Sequence, residues 1–194
     1  MSGFSAARQK MVDGQVRPSD VTDIRIIDAM LAVPRETFVP ENKRALAYLD
    51  LDLDVGEGGA AGQFLIKPAL LAKMLQAAEI KETDRVLVVG GAPGYAAEVI
   101  ARFAGQVQSA ASPDGDPANA PFDVIVLNGA TEIMPEKLCG QLRNGGRLVG
   151  VFAVSEPPRA TIVTCSHGDF GNRALFDAAA PVLPGLERLP AFVF

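Results

Sequence analysis

Two stretches of this 194-residue chain have residue types and spacing suited to holding a ligand. The first is a glycine turn, Gly90-Gly91-Ala92-Pro93-Gly94, inside the run 85–102. Before it, 85–89 is short, apolar and β-branched; after it, apolar residues recur at helical spacing at Tyr95, Val99, Ile100 and Phe103. This predicts strand, tight turn, helix. In an α/β sheet such a turn lies at the carboxyl edge of a central strand, where the helix start presents free N–H groups. The second stretch is the alternation Leu49-Asp50-Leu51-Asp52-Leu53-Asp54. It predicts a half-buried strand with three aspartates on its wet face. The other reading, a carboxylate metal site, has no further ligand cluster behind it.

The remaining reactive side chains are isolated. His167 is the single histidine and falls in a predicted hairpin turn, as a solvated turn residue. Cys139 and Cys165 lie apart without metal or nucleophile partners, and read as buried thiols. Gly145-Gly146 is a turn, and no phosphate-loop pattern or dinucleotide fingerprint with a downstream acid occurs. Two reduced thiols predict a cytoplasmic protein. The start of the chain has no secretory apolar segment, and no run of about 18 apolar residues predicts a membrane span. A net charge of −5 and a pI near 4.9 argue against nucleic acid.

The elements that must position the turn follow from periodicity. Residues 1–15 read as a polar helix ended at Arg17-Pro18, and Ser19 or Asp20 as the cap of a helix striped by Val21, Ile24, Ile27, Met30 and Leu31. Residues 34–40 read as an extended connector and 41–48 as a short helix. A glycine loop covers 56–62, and Leu71, Met74, Leu75 and Ala78 mark an amphipathic helix over 68–78. Strands are predicted at 106–110, 122–127, 147–152, 160–165 and 191–194, with a short helix at 135–142 and a proline-rich loop at 112–121. Strands alternate with helices to about Phe152, and antiparallel strands follow. The pattern predicts a doubly wound α/β sheet with an antiparallel end. It divides into an amino-terminal helical extension, 1–80, and an α/β core, 81–194.

Several stretches together resemble the protein L-isoaspartate O-methyltransferase family, in its short bacterial branch. They are MVDGQVRP at 11–18, VPRETFVP at 33–40, AYLD at 47–50, VLVVGGAPGY at 86–95, PFDVIVLNGA at 121–130, GGRLVGVF at 145–152, LFDAAAPVLPG at 175–185 and the AFVF end. The resemblance implies a Rossmann-like class I methyltransferase sheet with an amino-terminal helical extension, S-adenosylmethionine as donor, and an isoaspartyl carboxylate as acceptor. It also exposes departures. The family's first strand ends in an acid where this chain has Val88, and its turn reads Gly-x-Gly-x-Gly where this chain has Ala92 and Pro93. Ala92 adds a Cβ where the backbone should approach the donor, and Pro93 removes an N–H. The ribose-binding carboxylate falls at Ala111, and the acceptor-side serine at Ile66. Loss of two charged hydrogen-bonding sites corresponds to roughly 10²- to 10⁴-fold weaker binding. A helix and an edge strand are also missing between 110 and 122. Ten extended residues reach about 33 Å, enough to cross one face of the sheet.

These departures lead to the expectation of a catalytically inactive family member, without cofactor or catalytic residue. It would serve as a protein-binding module or accessory subunit of an assembly, with Gly90, Gly94 and Tyr95 as a vestigial cradle and Val88, Ala92 and Ala111 as lost positions. The alternative is a divergent S-adenosylmethionine-dependent protein-L-isoaspartate carboxyl methyltransferase. In that case Gly90, Gly94 and Tyr95 form the cradle, beside Asn128-Gly129.

Overall fold

The computed structural model describes residues 3–56, 62–92 and 94–189. Among the described residues, six strands form one sheet: β3 (Arg85–Val89), β4 (Gln106–Ala110), β5 (Phe122–Thr131), β6 (Leu142–Phe152), β7 (Arg159–Ser166) and β8 (Asp169–Asp177), in the order β4-β3-β5-β6-β7-β8. β4, β3, β5 and β6 are parallel, while β7 and β8 add an antiparallel end turned at His167-Gly168. β4 stands at the edge, and residues 111–121 carry the chain straight from it to β5 with no intervening helix or strand. This is the predicted α/β sheet with an antiparallel end, and it has the short edge that the resemblance implies. A separate two-stranded ribbon, β1 (Leu53–Asp54) with β2 (Phe64–Leu65), lies ahead of the sheet in sequence.

The two faces of the sheet are covered unequally. Side chains alternate along a strand, so Val86, Val88, Val124, Val126, Val149 and Val151 share one face. Against it pack α2 (Ile24–Ala32), α3 (Pro68–Ala78), α4 (Gly94–Ile100) and the end of α1 (Gly3–Met11), in a single apolar cluster. Leu70, Leu71, Met74, Leu75 and Ala78 of α3 are buried there, as their spacing requires. The opposite face, with Leu87, Val89, Ile125, Leu127 and Leu148, is covered by α5 (Glu136–Cys139), a single turn, together with Leu183 and Leu186. The residues near the carboxyl end therefore stand where a doubly wound fold would place helices.

Several local expectations are corrected. The first helix continues beyond Met11 through wider and tighter turns to Ser19, and buries Met11, Val12 and Val16. The second helix is capped by Asp23, whose side chain accepts from the Arg25 N–H, and Asp20 instead adopts φ 62°. Ile24 is exposed on that helix, while Ile26 takes the core side. Residues 35–38 form a 3₁₀ turn. Of the aspartate ladder only Leu53–Asp54 is strand: Asp54 accepts from the Gly56 N–H, a local bond that competes with a ladder, and Asp52 accepts from the distant Lys67 N–H. The predicted 56–62 loop and 191–194 strand fall largely or wholly outside the described residues. No described helix is long and apolar enough to cross a membrane.

Candidate functional site

β3 and β5 are neighbours, yet the chain leaves them toward opposite sides of the sheet. Such a switch point opens a crevice at the carboxyl ends of the strands. Gly90 closes β3 there with φ 154° and donates its N–H to the Ala110 carbonyl at 3.0 Å. Gly91 is in close contact with the backbone of the glycine loop: a Cβ on it would lie 2.0 Å from the Gly62 oxygen. Asn128, 3% exposed near the end of β5, clamps the turn. Its Nδ2 donates to the Ala92 carbonyl at 3.0 Å and to the Phe64 carbonyl at 3.2 Å. The amide thus ties the turn to β2 and β5.

Beyond the turn, a groove of about 540 Å³ opens between Gly91-Ala92, Val55, Gln63 and the segment carrying Thr37, Phe38 and Arg44. That volume lies in the usual range for small-molecule sites, roughly 300–1,000 Å³. Arg44 and Glu41, both exposed, line it as well.

Each sequence-predicted position has a definite place. Val88 is fully buried in the helix-covered face, among Val86, Val124 and Val126. Ala92 lines the groove, and Pro93 lies outside the described residues. Gly94 opens α4 with Phe38 against it, and Tyr95 is 1% exposed, its ring edge-on to Phe38 at 5.7 Å. Ala111 is exposed just past β4, without a side chain to reach a ligand. Ile66 is buried and does not line the groove. His167 is exposed in the hairpin turn, its N–H donating to Asn144. Cys139 and Cys165 are free and buried. Burial, with Cys165 nearby, pushes the Cys139 thiol up to about 11. Among the described residues no group of three metal-ligating side chains occurs.

Two contributors lie in stretches that carry the family resemblance, but no local pattern marks their role. Arg35 is 1% exposed: its Nε donates to the Ala47 carbonyl at 2.8 Å and its Nη2 to the Ile66 carbonyl at 2.9 Å. Its guanidinium carbon lies 4.7 Å from the Tyr95 ring centroid. Burial lowers its pKa, and burial raises that of Tyr95. Arg35 Nη1 and the Tyr95 hydroxyl have no hydrogen-bond partner among the described residues. The second contributor is Leu183, 2% exposed, which enters the crevice from the opposite face. Its Cδ2 would stand 2.7 Å from a Cβ on Gly129 and 3.5 Å from one on Gly90.

The model of the protein-L-isoaspartate (D-aspartate) O-methyltransferase family matches residues 6–114 and 106–157. The chain belongs to this family. It is 35% identical to the protein-L-isoaspartate O-methyltransferase of Roseiflexus sp. (strain RS-1) over 173 aligned positions, covering 75% of this chain and 77% of the relative. It is 38% identical to protein-L-isoaspartate O-methyltransferase 2 of Anaeromyxobacter sp. (strain Fw109-5) over 169 positions, covering 73% and 68%. Among solved structures, one described as a protein-L-isoaspartate O-methyltransferase matches at TM-score 0.78 and 22% identity, over 93% of this chain and 67% of the other. A second, assigned as a Plasmodium falciparum protein-L-isoaspartate O-methyltransferase in complex with S-adenosyl-L-homocysteine, matches at TM-score 0.73 and 15% identity, over 94% and 99%.

These findings correct two expectations. Relatives that share a third or more of their aligned residues with this chain are named as methyltransferases, against the reading of an inactive scaffold or accessory subunit. The expectation that no cofactor is used falls with it: the family's named activity is a methyl transfer, and the Plasmodium neighbour is described with S-adenosyl-L-homocysteine. The error had a physical source. The absence of carboxylates at Val88 and Ala111 shows which side-chain contacts are missing. It does not measure what backbone N–H groups and apolar walls supply. The geometry nevertheless accommodates the donor unevenly. The turn and groove offer room and backbone, whereas in this conformation the crevice between Gly90 and Gly129 is filled by Leu183.

Proposed function

We propose that this chain is a protein carboxyl methyltransferase that uses S-adenosylmethionine and acts on isoaspartyl residues. The groove carries the reading: an open space of ligand size against the glycine turn of a family member, with Arg44 in its lining. The donor supplies an activated methyl group. An acceptor carboxylate, with an ordinary pKa near ~4, is already ionised at neutral pH and is itself the nucleophile. The chain therefore needs no general base; among the described residues the groove is lined by a single titratable acid, the exposed Glu41. Its work is alignment. Asn128 fixes the turn, Gly91 packs against Gly62, and Arg44 in the groove lining supplies a positive charge for an incoming carboxylate. Such positioning, with loss of solvent around the reacting atoms, is a large source of rate. We place the enzyme in the cytoplasm on the strength of its two free, buried thiols.

The test is methyl transfer from isotopically labelled S-adenosylmethionine to an isoaspartyl peptide and to its aspartyl counterpart. Label in the isoaspartyl peptide alone is the expected result. No transfer, with no binding of S-adenosyl-L-homocysteine by calorimetry at millimolar ligand, overturns the reading.

A further inference from the structure

The crevice between the carboxyl ends of β3 and β5 is the place where a sheet of this topology receives its ligand. Here the chain fills it from its own far end. Residues 181–186 run as a strap along the end of β5: Ala130 donates to the Pro181 carbonyl at 2.8 Å, Leu183 donates to the Ala130 carbonyl at 2.9 Å, and Glu132 donates to the Leu186 carbonyl at 2.8 Å. The strap is wedged on both sides. Pro184 packs on Gly62, where a Cβ would meet it at 2.2 Å, and Gly185 packs on Pro113, where a Cβ would meet it at 2.7 Å. Between these wedges the Leu183 side chain turns inward, against Gly129 and Gly90. It belongs to the same apolar cluster as Val89 and Leu127, the last residues of β3 and of the regular part of β5.

We propose that Leu183 is the residue that sets the affinity of this enzyme for its methyl donor. Its side chain occupies the donor crevice and rotates out before the donor can seat. The proposal rests on the functional reading above. Two observations separate it from ordinary core packing. The side chain is inserted at the topological switch point, over the two glycines that line it, rather than over the middle of the sheet. The strap's backbone, in contrast, is bonded to β5 beside the crevice and wedged at Gly62 and Pro113, so displacement requires side-chain rotation and no unzipping. Expelling a fully buried leucine from an apolar site opposes binding by about 10- to 100-fold. Shortening the side chain removes that opposition and leaves the strap in place.

The test is calorimetric titration of the full-length native chain, Leu183→Ala, Leu183→Val and Leu186→Ala with S-adenosyl-L-homocysteine and S-adenosylmethionine. Leu186 is the control: it lies in the same strap and apolar cluster, 5% exposed, and makes none of the closest contacts at Gly90 or Gly129. The expected result is binding tightened about 10- to 100-fold in Leu183→Ala and by less in Leu183→Val, with no gain in Leu186→Ala. Leu183→Val removes one carbon and keeps the test available should the alanine variant fail to fold. Native binding with equal or weaker binding by the Leu183 variants overturns the role of Leu183 and leaves the functional reading standing. Binding by the variants alone supports Leu183 as the block and overturns the native enzyme. Silence from every protein at millimolar ligand overturns both. Equal gains in Leu183→Ala and Leu186→Ala also overturn the proposal, because they assign the effect to general loosening.

Discussion

Replacing Asn128 tests whether one amide holds the glycine turn in place. The structure gives this side chain two donor roles, to the Ala92 and Phe64 carbonyls, in a position 3% exposed. Asn128→Ala removes both bonds. At a net of about 1 kcal/mol each, the expected cost is about 2 kcal/mol. Asn128→Asp is nearly isosteric, yet at neutral pH it sets a carboxylate against two carbonyl oxygens with no proton to offer either. Its cost exceeds that of the alanine variant, by at least ~2 kcal/mol, the penalty for a buried acceptor left unmatched. That excess depends on pH. The new carboxyl holds its proton more tightly in the folded protein than in the unfolded chain, and once protonated it can donate to one carbonyl. Its folded pKa therefore lies above the unfolded value near ~4, and the stability of Asn128→Asp falls as pH rises from about 4 toward 7. Asn128→Ala has no such dependence of its own. Urea unfolding of the three proteins at pH 5 and pH 7 measures this, with a midpoint shift of about 1 M for each ~2 kcal/mol. S-adenosyl-L-homocysteine affinity follows the same order if the amide aligns the turn. Coincident midpoints for the two variants at both pH values refute the assignment of Asn128 as donor to the turn.

Gly91→Ala places a Cβ about 2.0 Å from the Gly62 oxygen, so the turn and Gly62 must separate; both thermal stability and donor affinity fall, as read by melting and calorimetry. The Tyr48 hydroxyl, bonded to Glu36 and to Arg8, is pushed up to about 12, first by burial and then by Glu36. Because its proton is bound more tightly when folded, this contribution to stability is complete below pH ~10 and is lost as pH rises toward 12; Tyr48→Phe removes that alkaline loss, which denaturant midpoints between pH 9 and 12 will show. Arg44→Gln raises KM for the isoaspartyl peptide by about 3- to 10-fold, the worth of an exposed charge contact, and leaves KM for the donor unchanged in steady-state kinetics.

Legibility of the sequence varied with how much each element depends on its own residues. β3 and α3 were readable to the residue, because a buried β-branched run and a one-sided apolar stripe each declare their partner surface. The aspartate ladder misled: its alternation is regular, but Asp52 and Asp54 spend their oxygens on nearby backbone N–H groups, and β2 offers only two residues to pair with. Arg35 lies between Pro34 and Glu36 in a polar-looking connector, and nothing local marks it as buried; its acceptors, Ala47 and Ile66, are supplied by other segments. The glycine turn was placed correctly at the carboxyl edge of a central strand, but what faces it was invisible. Leu183 is one apolar residue between Val182 and Pro184, and only the path of the chain across the sheet brings it to Gly129. The functional error had the same root. Missing carboxylates can be counted in a sequence, whereas the energy left in backbone and shape cannot.

The short link at 111–121 reaches further than the edge it trims. Pro113 within it is the prop on which Gly185 rests, so a link without helix or strand also braces the segment at 181–186. A graft that restored length here would slacken the brace and relax the far end of the chain at once, so a single insertion would change two distant parts of the protein together.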